Sequence, residues 1–278
     1  MMRMNRLRQS AAAHKLKKML FLLGSRGPES RWYGGYKLGE LVQSLKQPFS
    51  PNQLPIGYGR WIDERIVEYP WLFSQMPDGP GKLLDAGSIL NHHFIVSHPK
   101  LQPKDVTIMT LAPEAECYWR RNISYVYGDI RNMVFRDEIF DCVVCISTLE
   151  HVGLDNRRFH GGEMAQFGRE PESYLRAVRE LRRVLKSDGR CFVSMPFGHH
   201  AAQDWQQIFD GEMVDQLIQA FAPRACGTTY FRYSDESGWK TCDRAAAADA
   251  RYFNFRTDKP WKGHPAAAEA VVCLELQK

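Results

Sequence analysis

No run of apolar residues in this 278-residue chain approaches the roughly 20 that a membrane-spanning helix requires. The longest near the start is Met19–Leu23, too short and too closely flanked by lysine for a secretory signal. No Gly-x-Gly-x-x-Gly follows any strand-like stretch, which argues against a nicotinamide dehydrogenase. Internal repeats and low-complexity tracts are missing too. The seven cysteines are odd in number and lack the spacing of a disulfide framework, which points to a reducing compartment, the cytoplasm. Cys142 and Cys145 form a Cys-x-x-Cys on a strand-like run. Side chains three apart on a strand point to opposite faces, so neither a metal site nor a redox pair is expected there.

Acidic residues are absent from residues 1–26, which carry Arg3, Arg6, Arg8, Lys15, Lys17, Lys18 and Arg26. The whole chain is +5, so the remainder is slightly acidic and the basic character belongs to the tail. Met4, Leu7, Ala11, Leu16, Met19, Leu20 and Leu23 recur there at roughly helical spacing. Three readings are open: a basic amphipathic segment lying on an anionic membrane surface, at the periphery of the inner membrane; a terminal helix packing on its own domain; or an organellar presequence. A slightly acidic body lacks the broad basic face that phosphate backbones require, so nucleic acid is not an expected partner.

Residues 1–60 read as a basic tail and an irregular Gly/Pro/Ser/Tyr-rich arm with one short helix around Leu38–Leu45. Residues 61–278 read as one domain. It opens with helical periodicity over residues 61–74, up to Pro70. From Gly81, strands are expected at Lys82–Ala86, Val106–Leu111, Ile123–Tyr127, Cys142–Ser147, Arg190–Met195, Thr228–Tyr233 and Val271–Leu276. Helices are expected at Glu172–Leu185, stopped by Gly189, and at Gly211–Phe221. Strands alternating with helices imply an α/β fold with a doubly wound, mainly parallel, seven-stranded sheet, with an antiparallel edge strand among the last two.

The stretch from Tyr127 to Gly153 concentrates the chemistry. Gly128 and Asp129 end one strand, and the next empties into Ser147, Thr148, Leu149, Glu150 and His151. Polar groups just past the C-terminal ends of neighbouring strands mark the ligand crevice of an open α/β sheet. Together with GKLLDAGSILN (Gly81–Asn91), VYGD (Val126–Asp129), FDCVVCISTLEHV (Phe140–Val152) and YLRAVRELRRVLKSDGRCFVSMP (Tyr174–Pro196), this order of motifs resembles class I S-adenosylmethionine-dependent methyltransferases, over about residues 80–200. STLEHVGLDN followed by PFG also resembles methyltransferase-like proteins of bacterial polysaccharide synthesis.

The resemblance implies a Rossmann-like fold, S-adenosylmethionine as cofactor, and methyl transfer to a small-molecule or glycan acceptor, including O-methylation in polysaccharide synthesis. It implies cofactor contacts by Asp85, Gly87, Ser88, Asp129, Ile130, Ser147 and Thr148, with Asp129 facing the adenine amino group. His151, whose ordinary pKa lies near neutrality, is a general-base candidate; His199 competes with it, and Glu150 is a catalytic or orienting candidate. No metal ligand set is expected.

Two features depart from the family pattern. Ile89 and Asn91 stand where small residues are usual after the first glycine, and Thr110 stands where an acid usually meets the ribose, with Glu114 four residues on. These departures keep open a second reading, a catalytically degenerate methyltransferase-fold module of a glycan-assembly complex. On the substrate side, the loop Gly153–Pro171, with Asp155, Asn156, Arg157, Arg158 and His160, reads as a lid or a solvated loop, and Tyr233, Trp239 and Lys240 as a sugar-binding or a packing segment.

Overall fold

The computed structural model describes residues 11–24, 30–156, 170–253 and 268–278. Six α-helices run through them: α1 (Ala11–Leu23), α2 (Tyr33–Ser44), α3 (Arg65–Gln75), α4 (Tyr174–Val184), α5 (Gly211–Phe221) and α6 (Arg244–Ala247). The strands are β1 (Gly81–Ala86), β2 (Lys104–Thr110), β3 (Ile123–Tyr127), β4 (Phe140–Ile146), β5 (Leu185–Pro196), β6 (Ala201–Ala202), β7 (Gln207–Ile208), β8 (Ala225–Ser234), β9 (Gly238–Cys242) and β10 (Ala270–Gln277).

Eight strands form one sheet in the order β3-β2-β1-β4-β5-β10-β8-β9, and β6 and β7 make a separate two-stranded ladder. Strands β3, β2, β1, β4 and β5 pair in parallel. The expected seven strands are all present, and the eighth, β9, hairpins back from β8 at Gly238, where the backbone has φ +69°. The antiparallel edge strand is this β9 and not one of the last two expected strands: β10 inserts between β5 and β8, antiparallel to both. Its neighbours come from distant parts of the chain, so sequence order does not reveal the insertion.

Strand order reverses between β1 and β4, and both strands are apolar on both faces because helices cover both sides. One face packs Val143, Cys145, Cys191 and Val193 against Tyr174, Val178 and Leu181 of α4 and Leu217 and Phe221 of α5. The other packs Cys142, Val144, Ile146 and Phe192 against Ile66, Val67, Trp71 and Leu72 of α3. Cys142 and Cys145 therefore sit in different cores, as strand alternation requires.

Two local expectations are corrected. Helix α3 does not stop at Pro70 but continues to Gln75. Proline lacks the N–H that would bond the carbonyl of Ile66, and the Tyr58 hydroxyl donates to that carbonyl instead, at 3.0 Å. Gly189 does not cap α4. The helix ends at Val184, Leu185 is already extended, and Gly189 lies within β5, where its carbonyl accepts from the Lys278 N–H.

Phe192 is fully buried and meets Trp71 edge-on, ring centroids 5.9 Å apart, so it joins β5 to α3. Phe192→Ala should cost about 3–5 kcal/mol of stability. A shift of the urea midpoint with unchanged slope would report it; a midpoint unchanged within error would contradict the packing.

Candidate active site

The turn after β1 is built from within. Asp85 is fully buried, and its Oδ2 accepts the Leu90 N–H at 2.8 Å while Oδ1 has no partner among the described residues. Burial, opposed by the amides of Leu90 and Ile89, pushes this carboxyl up to about 7. Asp85 was expected to contact a ligand. It instead holds the turn, and it does not line the cavity beyond it. Gly87 has φ +125°, and a Cβ there would stand 2.1 Å from Thr148 Oγ1, so a side chain is excluded twice over. Asn91 is part of the scaffold as well: its amide donates to the Glu116 carbonyl at 2.9 Å and its oxygen accepts from the Tyr125 hydroxyl at 2.8 Å.

A cavity of about 430 Å³ opens at the carboxyl ends of these strands, within the size range of small-molecule sites. Gly87 and Ile89 line it from the β1 turn, Met109 and Thr110 from the end of β2, Glu114 from beyond it, and Gly128, Asp129, Ile130 and Arg131 from beyond β3. Ser147, Thr148 and His151 close it beyond β4, and Arg65 reaches in from α3. Ile89 is part of the wall, and the cavity remains open beside it. Of the expected cofactor residues, Gly87, Asp129, Ile130, Ser147 and Thr148 line the cavity, and Ser88 is one bond away, its hydroxyl donating to Glu114. That bond turns Glu114 toward the space where Thr110 offers only a hydroxyl. Asp129 is tethered by Arg131, whose Nη2 donates to Oδ2 at 2.7 Å and whose backbone N–H donates to Oδ1 at 2.8 Å.

Sequence reading missed the network under Ser147. Glu68 of α3 is fully buried and accepts from the hydroxyls of Ser147 at 2.8 Å and Ser194 at 2.6 Å, and from Arg65. Arg65 Nη1 also donates to Ser147 Oγ at 2.6 Å. A buried carboxylate is tolerable only when paired and bonded in this way. Arg65 and Glu68 lie outside the recognisable motifs. Their one sequence signal was an ion pair at i, i+3 inside an otherwise apolar helix.

Of the catalytic candidates, His151 lines the cavity. Its ring stacks on Trp205, centroids 5.3 Å apart and planes 16° from parallel, with Nδ1 2.9 Å from the Trp205 carbonyl. A carbonyl only accepts, so Nδ1 carries the proton in the neutral ring and Nε2 presents a lone pair. Glu150 Oε1 lies 3.9 Å from that Nε2; Glu150 is buried and its Oε2 has no partner among the described residues. Burial pushes the Glu150 carboxyl up to about 8 from its ordinary 4.5. His199 is exposed and does not line the cavity; its backbone N–H donates to the Ala250 carbonyl. It does not join the site because the chain bends away at Gly198 toward β6.

The substrate-side readings divide. Trp239 is fully buried with its indole N–H on the Ile62 carbonyl at 2.9 Å, and Tyr233 is buried beside it, so these two are core. Gly153 and Asn156 line the cavity, and the Glu170 N–H donates to the Gly153 carbonyl at 2.8 Å, so the two ends of the expected lid are tied together at the cavity. Arg157, Arg158 and His160 lie outside the described residues.

Residues 98–193 match a family model described as a methyltransferase domain. That match spans about a third of the chain. The match begins after the β1 turn and ends within β5, so Arg65, Glu68 and Gly87 fall outside it. An uncharacterized protein of Methanocaldococcus jannaschii is 32% identical over 68 residues, which are 24% of this chain and only 21% of that protein. Among solved structures, the [4+2]-cyclase SpnF superposes with a TM-score of 0.50 at 16% identity, over 91% of this chain and 97% of that one. A possible histamine N-methyltransferase from Thermotoga maritima gives 0.45 at 13% identity, over 95% of both chains. The didemethyltoxoflavin N1-methyltransferase of Burkholderia thailandensis, solved with S-adenosylhomocysteine, gives 0.42 at 15% identity, over 72% of both. These likenesses concern the Rossmann-like methyltransferase fold. A cyclase shares it, so the reaction must be argued from the site.

At the cavity, Glu150 carries a testable pH signature. Its folded pKa is raised, so folding takes up a proton, and the protonated state is fully favourable below about 4.5 and is lost as pH rises through about 8. Glu150→Gln, a permanent mimic of the neutral acid, should match the parent's melting temperature at pH 5 and exceed it at pH 9. Equal pH dependence in the two proteins would place the charge elsewhere.

Proposed function

We propose that this chain transfers a methyl group from S-adenosylmethionine to a small-molecule or glycan acceptor. The observation that carries the reading is the convergence, at the β1/β4 reversal, of Gly87, Glu114, Asp129, Thr148 and His151 around one cavity. The donor set suits that cofactor. Glu114 is an ionisable acceptor beside the turn for ribose hydroxyls, in place of the acid that Thr110 lacks. Asp129 is an acceptor for an amino group, and Met109 and Ile130 are apolar walls for a base. Arg65 is a guanidinium for a carboxylate. When bound, the cofactor supplies a methyl that is already electrophilic on its sulfonium.

The protein's task is then alignment and proton removal. Holding the acceptor in near-attack geometry is worth about 7–11 kcal/mol. His151, with Nδ1 anchored on Trp205, is the base that would take a hydroxyl proton through Nε2, a step worth about 10²–10⁴-fold. Glu150, whose Oε1 lies 3.9 Å from that nitrogen and whose carboxyl is pushed toward neutrality by burial, orients the ring. A base at His151 favours O-methylation of a hydroxylated acceptor, which fits an enzyme of polysaccharide synthesis.

A second reading, a binding module without turnover, is favoured by one observation: both oxygens of Asp129 are already engaged by Arg131. Calorimetry with S-adenosylhomocysteine separates the two. Methyl transfer requires measurable heat, with affinity lowered about tenfold or more by Glu114→Ala. His151→Asn should leave that affinity intact and lower turnover by about 10²–10⁴-fold on a hydroxyl acceptor. No heat at millimolar ligand would sink the enzymatic reading.

A further inference from the structure

We propose that helix α1 is a docking face for an anionic membrane surface, so that the cavity works beside a bilayer. The helix has two faces, and the inner one is fixed. Phe21 is fully buried and stacks on Tyr36, centroids 4.4 Å apart and planes 11° from parallel, and it lies 6.2 Å from Trp61. His14 Nε2 and Lys18 Nζ each stand 2.9 Å from Glu40 Oε1. These contacts set the rotation of α1 against α2, and the rotation turns another stripe outward.

That stripe is Leu16, Met19 and Leu23, exposed to 53%, 49% and 78%. The i, i+3, i+7 spacing puts all three on one side of the helix. Large apolar side chains on a soluble surface are ordinarily scattered singly; an aligned set beside basic residues is the pattern of an interfacial helix. Lys15 is exposed next to it, and residues 1–26 hold seven basic residues and no acid. The charge chooses the occupant. A second copy would bring the same positive segment and repel, whereas anionic headgroups attract it, each nearby Lys or Arg strengthening partition about fivefold. Phosphate chains of nucleic acid would leave the apolar stripe in water.

The face connects to the site through one layer of helices. Helix α1 rests on α2, Lys37 of α2 pairs with Asp63, and Arg65, two residues on, lines the cavity. An acceptor that itself resides at the interface, an amphiphile with a polar hydroxylated head, is the class this arrangement suits. The docking face does not depend on the chemistry at the cavity, so its test and the calorimetric test fail separately.

The full chain should sediment with phosphatidylcholine vesicles containing phosphatidylglycerol and not with phosphatidylcholine alone, and added salt should release it. Combined Leu16→Ser, Met19→Ser and Leu23→Ser should weaken binding about tenfold or more while thermal melting stays cooperative. Leu16→Trp keeps the stripe apolar and supplies a second readout: its emission should move to shorter wavelength on anionic vesicles only. Equal sedimentation with neutral lipid, an unmoved emission, or binding by the triple-serine chain equal to the parent's would overturn the proposal. So would a dimer that the triple-serine chain abolishes without any vesicle binding by the parent.

Discussion

A carboxylate sealed from water, Glu68, is the constraint on which the site depends. It belongs to α3, outside the span matched by the methyltransferase family, yet it accepts hydroxyls from the ends of both β4 and β5 and pairs with Arg65. Leaving such a charge without one of its partners costs about 3–5 kcal/mol, because the protein interior cannot solvate it as water would. The helix therefore cannot slide along the sheet without breaking the network. Ser147, held at φ +42° where the chain leaves β4, cannot turn away from the cavity for the same reason.

The consequences reach the chemistry in two steps. Fixing Ser147 fixes the short 3-10 turn Leu149–His151 behind it, which points His151 at the cavity and Glu150 into the protein. Fixing Arg65 places a cation opposite the carboxylates of Glu114 and Asp129. Across the cavity the β1 turn is held by a different buried acid, Asp85, through backbone amides. Two buried acids thus brace the two sides of one cleft, Glu68 through Ser147, Ser194 and Arg65, and Asp85, pushed toward neutrality by burial, through the Leu90 amide.

Nearly every strand was legible because each is a short apolar run closed by turn residues, and Gly211–Phe221 was legible to the residue because Asp210 caps its start by accepting the Met213 N–H. The continuation of α3 through Pro70 was not, since the group that satisfies the Ile66 carbonyl, Tyr58, comes from the preceding arm. The insertion of β10 was hidden for a related reason: its pairing partners, β5 and β8, lie far from it in the chain.

At the site the division is similar. Gly128, Asp129, Ser147, Thr148 and His151 follow strands directly, so periodicity alone carried them to the carboxyl edge of the sheet. His199 follows a strand too, but Gly198, where the backbone packs on Ala250, diverts it. Asp85 looked like a ligand contact because a strand-ending acid before glycine has two uses, and only burial tells them apart. Composition and local pattern determined the parallel sheet, its crevice and the sign of the tail. Tertiary packing decided which acids are buried and bonded, which histidine meets the cavity and which side of α1 remains bare, because each depends on what a distant segment brings within a few ångströms.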